Sequence, residues 1–179
     1  LEDVQFPEPV GRLEAFHTAG GLSTMAFRYK GRIPVMEYKT LRYPGHARLV
    51  EAMRELGFFD TEPIEVKGTR VVPREVAIAL MGPRLRKPAA PDLVAVRVVV
   101  SGEKADMART LVWEVVDRMD ERTGITAMMR TTGYSLAITG VMQARGDVAP
   151  GVHTPDECIA AEPYFRELGK RGIDVRELP

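Results

Sequence analysis

The sequence predicts a mixed α/β domain, a two-layer sandwich in which helices cover a mixed or antiparallel sheet. Residues 93–100 and 109–116 are two runs rich in β-branched side chains, and the short segment "SGEKADM" between them is typical of a hairpin. Helical periodicity elsewhere supplies the second layer, since residues 47–56 carry an apolar stripe beside a charged face. With 179 residues and 45% hydrophobic content, the chain is long enough for a real core.

In the first half of the chain, residues 10–17 alternate as a strand, and residues 32–40 are a second strand candidate. The segment "TAGGLSTM" between them contains a glycine pair that permits backbone conformations closed to other residues. The helix over residues 47–56 should end at Gly57. Residues 64–72 are typical of a short hairpin, and Pro73 should begin a brief helix through Leu80.

The second half opens with "MGPRLRKPAAPD", whose proline and basic residues indicate an exposed connection. In the hairpin that follows, Trp113 shares a strand face with Leu111 and Val115, which favours a core position. Residues 131–143 carry no charge and predict a helix buried on most sides. The pentad "HTPDE" predicts a helix capped by Thr154 that ends near Gly172, and "IDV" a last strand.

Composition excludes several classes of function. The 25 basic and 25 acidic side chains cancel, so no overall field favours nucleic acid or an anionic membrane surface. No apolar run is long enough to span a bilayer. The single cysteine excludes an internal disulfide framework, and we expect a cytoplasmic protein. The sequence begins at Leu1 and not at methionine, which suggests a fragment or a processed chain.

Nucleotide and metal motifs are missing from the sequence. It contains no G-x-G-x-x-G, no P-loop and no G-x-S-x-G. Its three histidines lie far apart and lack the spacing of a helical metal pair, so we predict no metal site. His17, which ends a strand beside the glycine pair, either lines a cleft or is an ordinary histidine at a strand end.

The stretch "EYKTLRYPGHARLV" gathers hydrogen-bond donors at a strand-to-helix corner. Alternation puts Glu37 and Lys39 on one side of the strand and Thr40 and Arg42 on the other. The free N–H groups at the start of the helix, near His46, favour an anion. Lys39 can act as a base if it is partly buried. The alternative is a solvated strand edge followed by an ordinary helix cap.

A second cluster of donors is "RTTGYSLAITG", where an arginine and two threonines precede the uncharged helix. Thr131 or Thr132 can cap that helix, and Arg130 together with the two threonines at the helix start would suit a carboxylate or a phosphate. A plain N-cap with a surface arginine explains the same residues.

Four stretches together resemble the C-terminal part of saccharopine dehydrogenase-like proteins, a group that includes saccharopine reductases, lysine 6-dehydrogenases and carboxynorspermidine dehydrogenases. These stretches are "EAFHTAGGLSTM", "YKTLRYPGHARLVEAMRELGFFD", "RTTGYSLAITGVMQARGDV" and "GVHTPDECIAAEPYFRELGKRGIDV". Their order and spacing cover nearly the whole chain, and T-x-R-Y-P-G-H is the most specific part, here as "TLRYPGH".

The resemblance implies part of an NAD- or NADP-dependent oxidoreductase that acts on a C–N bond of an amino acid. Its fold would be like that of the C-terminal domain of glyceraldehyde-3-phosphate dehydrogenase. Residues 1–150 would bind an amino-acid-like substrate and form a homodimer, and residues 151–179 would return to a Rossmann domain. That domain, absent from this sequence, would hold most of the cofactor, so this chain alone should be inactive.

The resemblance also implies roles for individual residues. Lys39 and His46 would be catalytic, Lys39 as a proton acceptor, and Gly20 and Gly21 would lie near the nicotinamide. The substrate-binding residues would be His17, Thr18, Arg42, Tyr43, Arg130, Thr131 and Thr132. This chain has "GGLST" where lysine-dehydrogenase-like members tend to carry D-G-L-R-T, which puts lysine in doubt as the substrate. The alternatives are a stand-alone, non-catalytic dimeric amino-acid-binding module and one subunit of a split dehydrogenase.

Overall fold

The computed structural model describes residues 1–86 and 90–179. The chain divides into two compact units, Leu1–Pro88 and Ala89–Pro179, and each is described by itself. Part of the connection predicted in "MGPRLRKPAAPD" lies outside the described residues. The functional division at residue 150 stays a prediction.

The first unit is built on a three-stranded antiparallel sheet. Its strands are β1 (Glu2–Gln5), β2 (Arg12–His17) and β3 (Lys39–Arg42), in the order β1-β2-β3. The central strand, β2, contributes the buried side chains of Leu13 and Ala15. The sheet therefore sets the spacing of every candidate site residue in this unit that lies on β2 or β3.

The second predicted strand was too long, because only its last two residues, Lys39 and Thr40, belong to β3. Upstream, the N–H groups of Arg32 and Ile33 donate to the carbonyl of Tyr29 at 3.0 and 3.1 Å and close a turn. Pro34 follows and has no N–H to give to a ladder. The loop before this turn contains a short helix, α1 (Met25–Arg28), and the sequence did not predict β1.

The other elements of the first unit follow the predicted pattern. Helix α2 (His46–Glu55) is confirmed, with Gly57 at a positive φ of 78° just beyond its end. Strands β4 (Ile64–Val66) and β5 (Thr69–Val71) form the predicted hairpin. Helix α3 (Pro73–Leu85) begins at Pro73 as expected but continues past Leu80.

The second unit contains a long hairpin with one short strand added. Strands β6 (Leu93–Lys104) and β7 (Met107–Arg118) are antiparallel, and β8 (Arg176–Leu178) pairs with β7. The connecting loop is only two residues, Ala105 and Asp106, both at positive φ, so most of "SGEKADM" is strand. The last strand, β8, begins directly after the predicted "IDV" and is therefore displaced by three residues. Trp113 is half-buried.

Helix α4 (Ala127–Ala144) packs one face on this sheet, where Ile138 and Met142 join the core. The prediction that it is buried on most sides was wrong, since its opposite face is open and Leu136 is 76% exposed. An uncharged sequence shows that a helix can be buried, but not which of its faces has a partner.

Two helices complete the unit, α5 (Pro155–Cys158) and α6 (Ala161–Gly169). Thr154 caps α5 as predicted, and the carboxylate of Glu157 accepts a hydrogen bond from its N–H at 3.1 Å. The single helix that we predicted through Gly172 is interrupted because the ring of Pro163 would clash with the carbonyl of Ile159 in a continuous helix.

The mixed α/β class with antiparallel sheets is confirmed, and the sheets are open. Within residues 1–86 and 90–179, no helix is both long enough and apolar enough to cross a bilayer.

Candidate functional site

The strand-to-helix corner of the first unit presents its functional groups on two opposite faces of the sheet. His17 lies opposite Lys39 in the β2–β3 register, and Glu14 lies opposite Arg42. Because side chains alternate along a strand, these two pairs project from opposite faces. The alternation predicted for Lys39 and Arg42 is therefore confirmed, but the two side chains do not form one cluster.

On the first face, Lys39 is held by two carboxylates. Its Nζ donates to Oε1 of Glu2 at 2.6 Å and to Oε1 of Glu37 at 2.8 Å, and its side chain is 17% exposed. The other oxygen of Glu37 lies 3.6 Å from Nε2 of His17. Sequence reasoning missed Glu2 because it did not predict β1.

These contacts set the protonation of the group. The hydrogen bonds to Glu2 and then to Glu37 raise the pKa of Lys39 above its usual value. The same bond, with the charge of Lys39, lowers the pKa of Glu2. Lys39 is therefore a cation at neutral pH, and its predicted role as a proton acceptor requires that the two carboxylates first move away.

On the second face, hydroxyl, guanidinium and imidazole groups gather. The hydroxyls of Thr18 and Thr40 are 2.7 Å apart. Arg42, two residues after Thr40 and thus on the same face, is exposed and donates from Nη1 to its neighbouring carbonyl at 2.7 Å. The ring of His46 stacks on Phe16, which lies opposite Thr40 in the register, with 6.4 Å between centroids. Tyr43 is exposed at the corner itself.

The start of α2 already has an anion from within the chain. Gly45 caps the helix at a φ of 93°, and its N–H donates to Oε2 of Glu14 at 3.0 Å. Glu14 is only 9% exposed. We predicted an anion at this helix start, and at Gly45 that position is taken by the carboxylate of Glu14 from β2. The only sequence signal for it is that Glu14 alternates in phase with the apolar Phe16.

The two glycines of "TAGGLSTM" differ in what surrounds them. Gly20 and Gly21 have positive φ values of 89° and 77°. A Cβ on Gly21 would lie 2.1 Å from Cδ1 of Tyr38, whereas a Cβ on Gly20 would meet nothing within 4 Å. The close approach at Gly21 is therefore taken by the ring of Tyr38, and the backbone at Gly20 is open to a ligand.

In the second unit, the predicted helix start was placed too late. Thr126 caps α4 by accepting from the N–H of Met129 at 3.1 Å. Asp92 accepts from the N–H groups of Ala127 and Met128 at 2.6 and 3.0 Å. Arg130, Thr131 and Thr132 lie inside the helix and do not cap it. Asp92, like Glu14, was missed.

Arg130 is buried and holds two elements together. Its Nε and Nη2 donate to the two oxygens of Asp117 at 2.9 and 3.2 Å, and Nη2 also donates to the carbonyl of Arg171 at 3.0 Å. The hydrogen bonds to Asp117 raise the pKa of the Arg130 guanidinium above its usual value. The hydroxyl of Thr131 donates to the carbonyl of Ala127 at 2.9 Å, and that of Thr132 lies 3.8 Å from the sulfur of Met128. Their roles in substrate binding stay predictions.

Among the residues that the structure describes, no group of three histidine, cysteine, aspartate or glutamate side chains could hold a metal ion. Its ion pairs join opposite charges, as where Lys39 lies between Glu2 and Glu37 in a cluster with one net negative charge.

A comparison with known families identifies the family of this chain. The model of the saccharopine dehydrogenase C-terminal domain matches residues 2–173, which is nearly the whole chain. The resemblance carried by the sequence motifs is confirmed, and with it the general class, a domain of a dehydrogenase family of amino-acid metabolism. Members of this family are generally NAD(P)-dependent. This chain belongs to the family of saccharopine dehydrogenase C-terminal domains.

Proposed function

We propose that this chain is the substrate-binding and dimerisation part of an NAD(P)-dependent oxidoreductase that acts on a C–N bond of an amino acid. The single observation that carries the proposal is the family match over residues 2–173. The arrangement of the β3–α2 corner supports it, because that corner offers donors for the anionic end of such a substrate.

The second face of the first unit's sheet is where we place the substrate's carboxylate. Thr18 and Thr40 supply hydroxyls, and the exposed Arg42 has four guanidinium N–H groups beyond the one given to a carbonyl. A planar guanidinium binds a carboxylate through two parallel hydrogen bonds. His46, stacked on Phe16 and four residues after Arg42, is our candidate for proton transfer.

We place the contact between the cofactor and this chain at Gly20. The open backbone at Gly20 permits close approach of a ring, whereas the side of Gly21 is filled by Tyr38. No glycine fingerprint for a dinucleotide occurs in the sequence, so a Rossmann domain or subunit must hold most of the cofactor. NAD or NADP bound there would accept a hydride from the carbon beside the substrate nitrogen. This chain would hold and orient the substrate.

Dimerisation is supported by the open face of the second unit's sheet. Helix α4 packs on the face that carries Val115 and Asp117. The opposite face carries Val99 and Val116, exposed to 57% and 40%, around the ion pair of Arg97 with the buried Glu114. An open antiparallel sheet face of this kind is suited to a second copy of the chain.

The experiment begins with the intact mass of the polypeptide as its native cell makes it. That polypeptide is then assayed with lysine, saccharopine and related amines in the presence of NAD and of NADP. Substrate-dependent reduction of one cofactor supports the proposal. A chain with no nucleotide-binding domain and no nucleotide-binding partner on purification, and with amino-acid binding but no reduction, would instead favour the stand-alone binding module.

A further inference from the structure

Residues 18–36, which form most of the loop between β2 and β3 and end just before Glu37, are a locally cationic segment of a chain with no net charge. Residues 18–36 read "TAGGLSTMAFRYKGRIPVM" and contain three cations and no carboxylate. The segment also exposes apolar side chains, with Phe27 at 83% and Val35 at 75%. Loops that a sheet holds in place often carry binding residues, so this combination of charge and apolar surface is a candidate binding site.

The loop carries an open groove of about 290 Å³. It is lined by Leu22, Ala26, Tyr29, Lys30, Gly31, Ile33, Pro34 and Met36. Its shape is held by backbone hydrogen bonds, from the N–H of Tyr29 to the carbonyl of Met25 and from the N–H of Arg32 to the carbonyl of Tyr29, both 3.0 Å. The groove is therefore built by the fold of the loop itself.

Three cations lie on this groove or against the ring of Tyr29, which lines it. The guanidinium of Arg32 lies 5.6 Å from the ring centroid of Tyr29, and that of Arg28 lies 5.5 Å from it. Lys30 lines the groove. In the described part of the chain, neither Lys30 nor Arg32 forms an ion pair with a carboxylate. Their charges are thus available to an anion from outside.

We propose that this groove binds a small organic anion, with the apolar body of the ligand in the groove and its carboxylate or phosphate against Lys30 and Arg32. The volume suits one ring or a short aliphatic chain and is too small for a whole dinucleotide. Thr40 and Arg42 are not among the residues that line the groove, and the existence of this site does not depend on the proposed oxidoreductase function.

The test uses four probes that separate body from charge, with binding followed by NMR at Ile33 and Met36 in this chain. Hexanoate has an apolar body and a carboxylate, and nicotinamide mononucleotide has a ring and a phosphate. Hexylammonium has the body with the opposite charge, and inorganic phosphate has the charge without a body. We expect saturable shifts with hexanoate or the mononucleotide, and the stronger of the two identifies the source of the anion.

Variants complete the test. Lys30→Gln should weaken binding of the anionic probe by about threefold to fivefold, as expected for one exposed charge. Lys104→Gln, at the exposed end of β6, is the matched control and should leave binding unchanged. Ile33→Asn should abolish the shifts at Met36 while the rest of the spectrum stays dispersed.

Equal shifts with hexylammonium and hexanoate would overturn the proposal, as would binding that Lys30→Gln leaves intact. Inorganic phosphate as the only probe that binds would also overturn it, because the groove would then contribute nothing. None of these results bears on dehydrogenase activity, which is measured separately on the native polypeptide.

Discussion

The ammonium of Lys39 lies 2.6 Å from Oε1 of Glu2, so that an ion pair joins the two edge strands of the first sheet across its central strand. Glu2 is opposite Ala15 in the β1–β2 register, and Lys39 is opposite His17 in β2–β3. The small side chain of Ala15 leaves room for this contact over β2. Lys39 thus stabilises the sheet, whatever it does for a substrate.

We therefore expect Glu2→Gln to loosen β1 and β3 together. Amide hydrogen exchange in both strands should become faster at neutral pH, because the variant keeps the shape of the side chain and loses its charge. Asp3→Asn is the matched control. Its partner Arg12 is 58% exposed and the pair spans only neighbouring strands, so exchange in β3 should not change. Equal effects of the two variants would contradict the link.

The pH dependence of this link has a definite sign. The pKa of Glu2 is lowered by Lys39, so its contribution to stability is complete above 4.5 and is lost as pH falls through the lowered pKa. The pKa of Lys39 is raised, so its contribution is complete below 10.5 and is lost as pH rises through the raised pKa. The difference in exchange between the natural chain and Glu2→Gln should persist at neutral pH and disappear in acid.

The sequence predicted the starts of α2 and α3 closely, but not the start of α4 or the groups that lie at the first turns of α2 and α4. Both helix starts that we expected to hold an anion from a ligand have a carboxylate of the chain. Glu14 reaches Gly45 from 31 positions away, and Asp92 reaches Ala127 from 35. Capping and periodicity are local signals, whereas these contacts depend on the pairing of distant segments. The face alternation around Lys39 was predictable because it needs only the period of a strand.

Arg130 provides a second prediction, about stability. Arg130→Met leaves Asp117 buried without its partner, which typically costs about 3 kcal/mol of unfolding free energy. Arg145→Met is the matched control, because Arg145 is 59% exposed and its Nη1 lies 3.6 Å from Oε1 of Glu167. It should cost less than about 1 kcal/mol. Urea unfolding followed by the fluorescence of Trp113, in the same unit, measures both.

The outcome for Arg130 also separates a structural role from substrate binding. If its main role were to bind the substrate's carboxylate, Arg130→Met would leave the urea midpoint close to that of the natural chain. The native enzyme would then show a raised KM. A shifted midpoint with an unchanged KM for the correctly folded fraction would assign it to the fold alone.

The glycine pair provides a third prediction. Gly20→Ala should lower the free energy of unfolding by about 1 kcal/mol, because a residue with a Cβ is strained at a positive φ. Gly21→Ala has the same backbone strain and also places its Cβ 2.1 Å from the ring of Tyr38, so it should cost about 1–3 kcal/mol more. Tyr38→Ala combined with Gly21→Ala should recover that additional cost. Recovery would not be seen if the ring of Tyr38 lay elsewhere. Hydrogen exchange of the β2–β3 pair measures each step.

Arg42 tests the proposed substrate face. In the native polypeptide, Arg42→Gln should raise KM by about tenfold, since one charge-assisted contact to a carboxylate is lost, while kcat changes less. Arg54→Gln, on an exposed position of α2, is the control and should leave both constants as they are. An unchanged KM in Arg42→Gln would show that the substrate's carboxylate does not bind on this face.

The open face of the second sheet leads to the last prediction, which concerns oligomeric state. If two copies meet through this face, Val99→Lys places a charge in an apolar contact and should convert dimer to monomer in sedimentation velocity. Val99 is 57% exposed in the single chain, so the fold itself should tolerate the change. Val98→Lys is the matched control, because Val98 is 48% exposed but lies on the face toward α4. A natural chain that is monomeric at all concentrations would exclude the dimer, and equal dissociation by both variants would exclude this face as its interface.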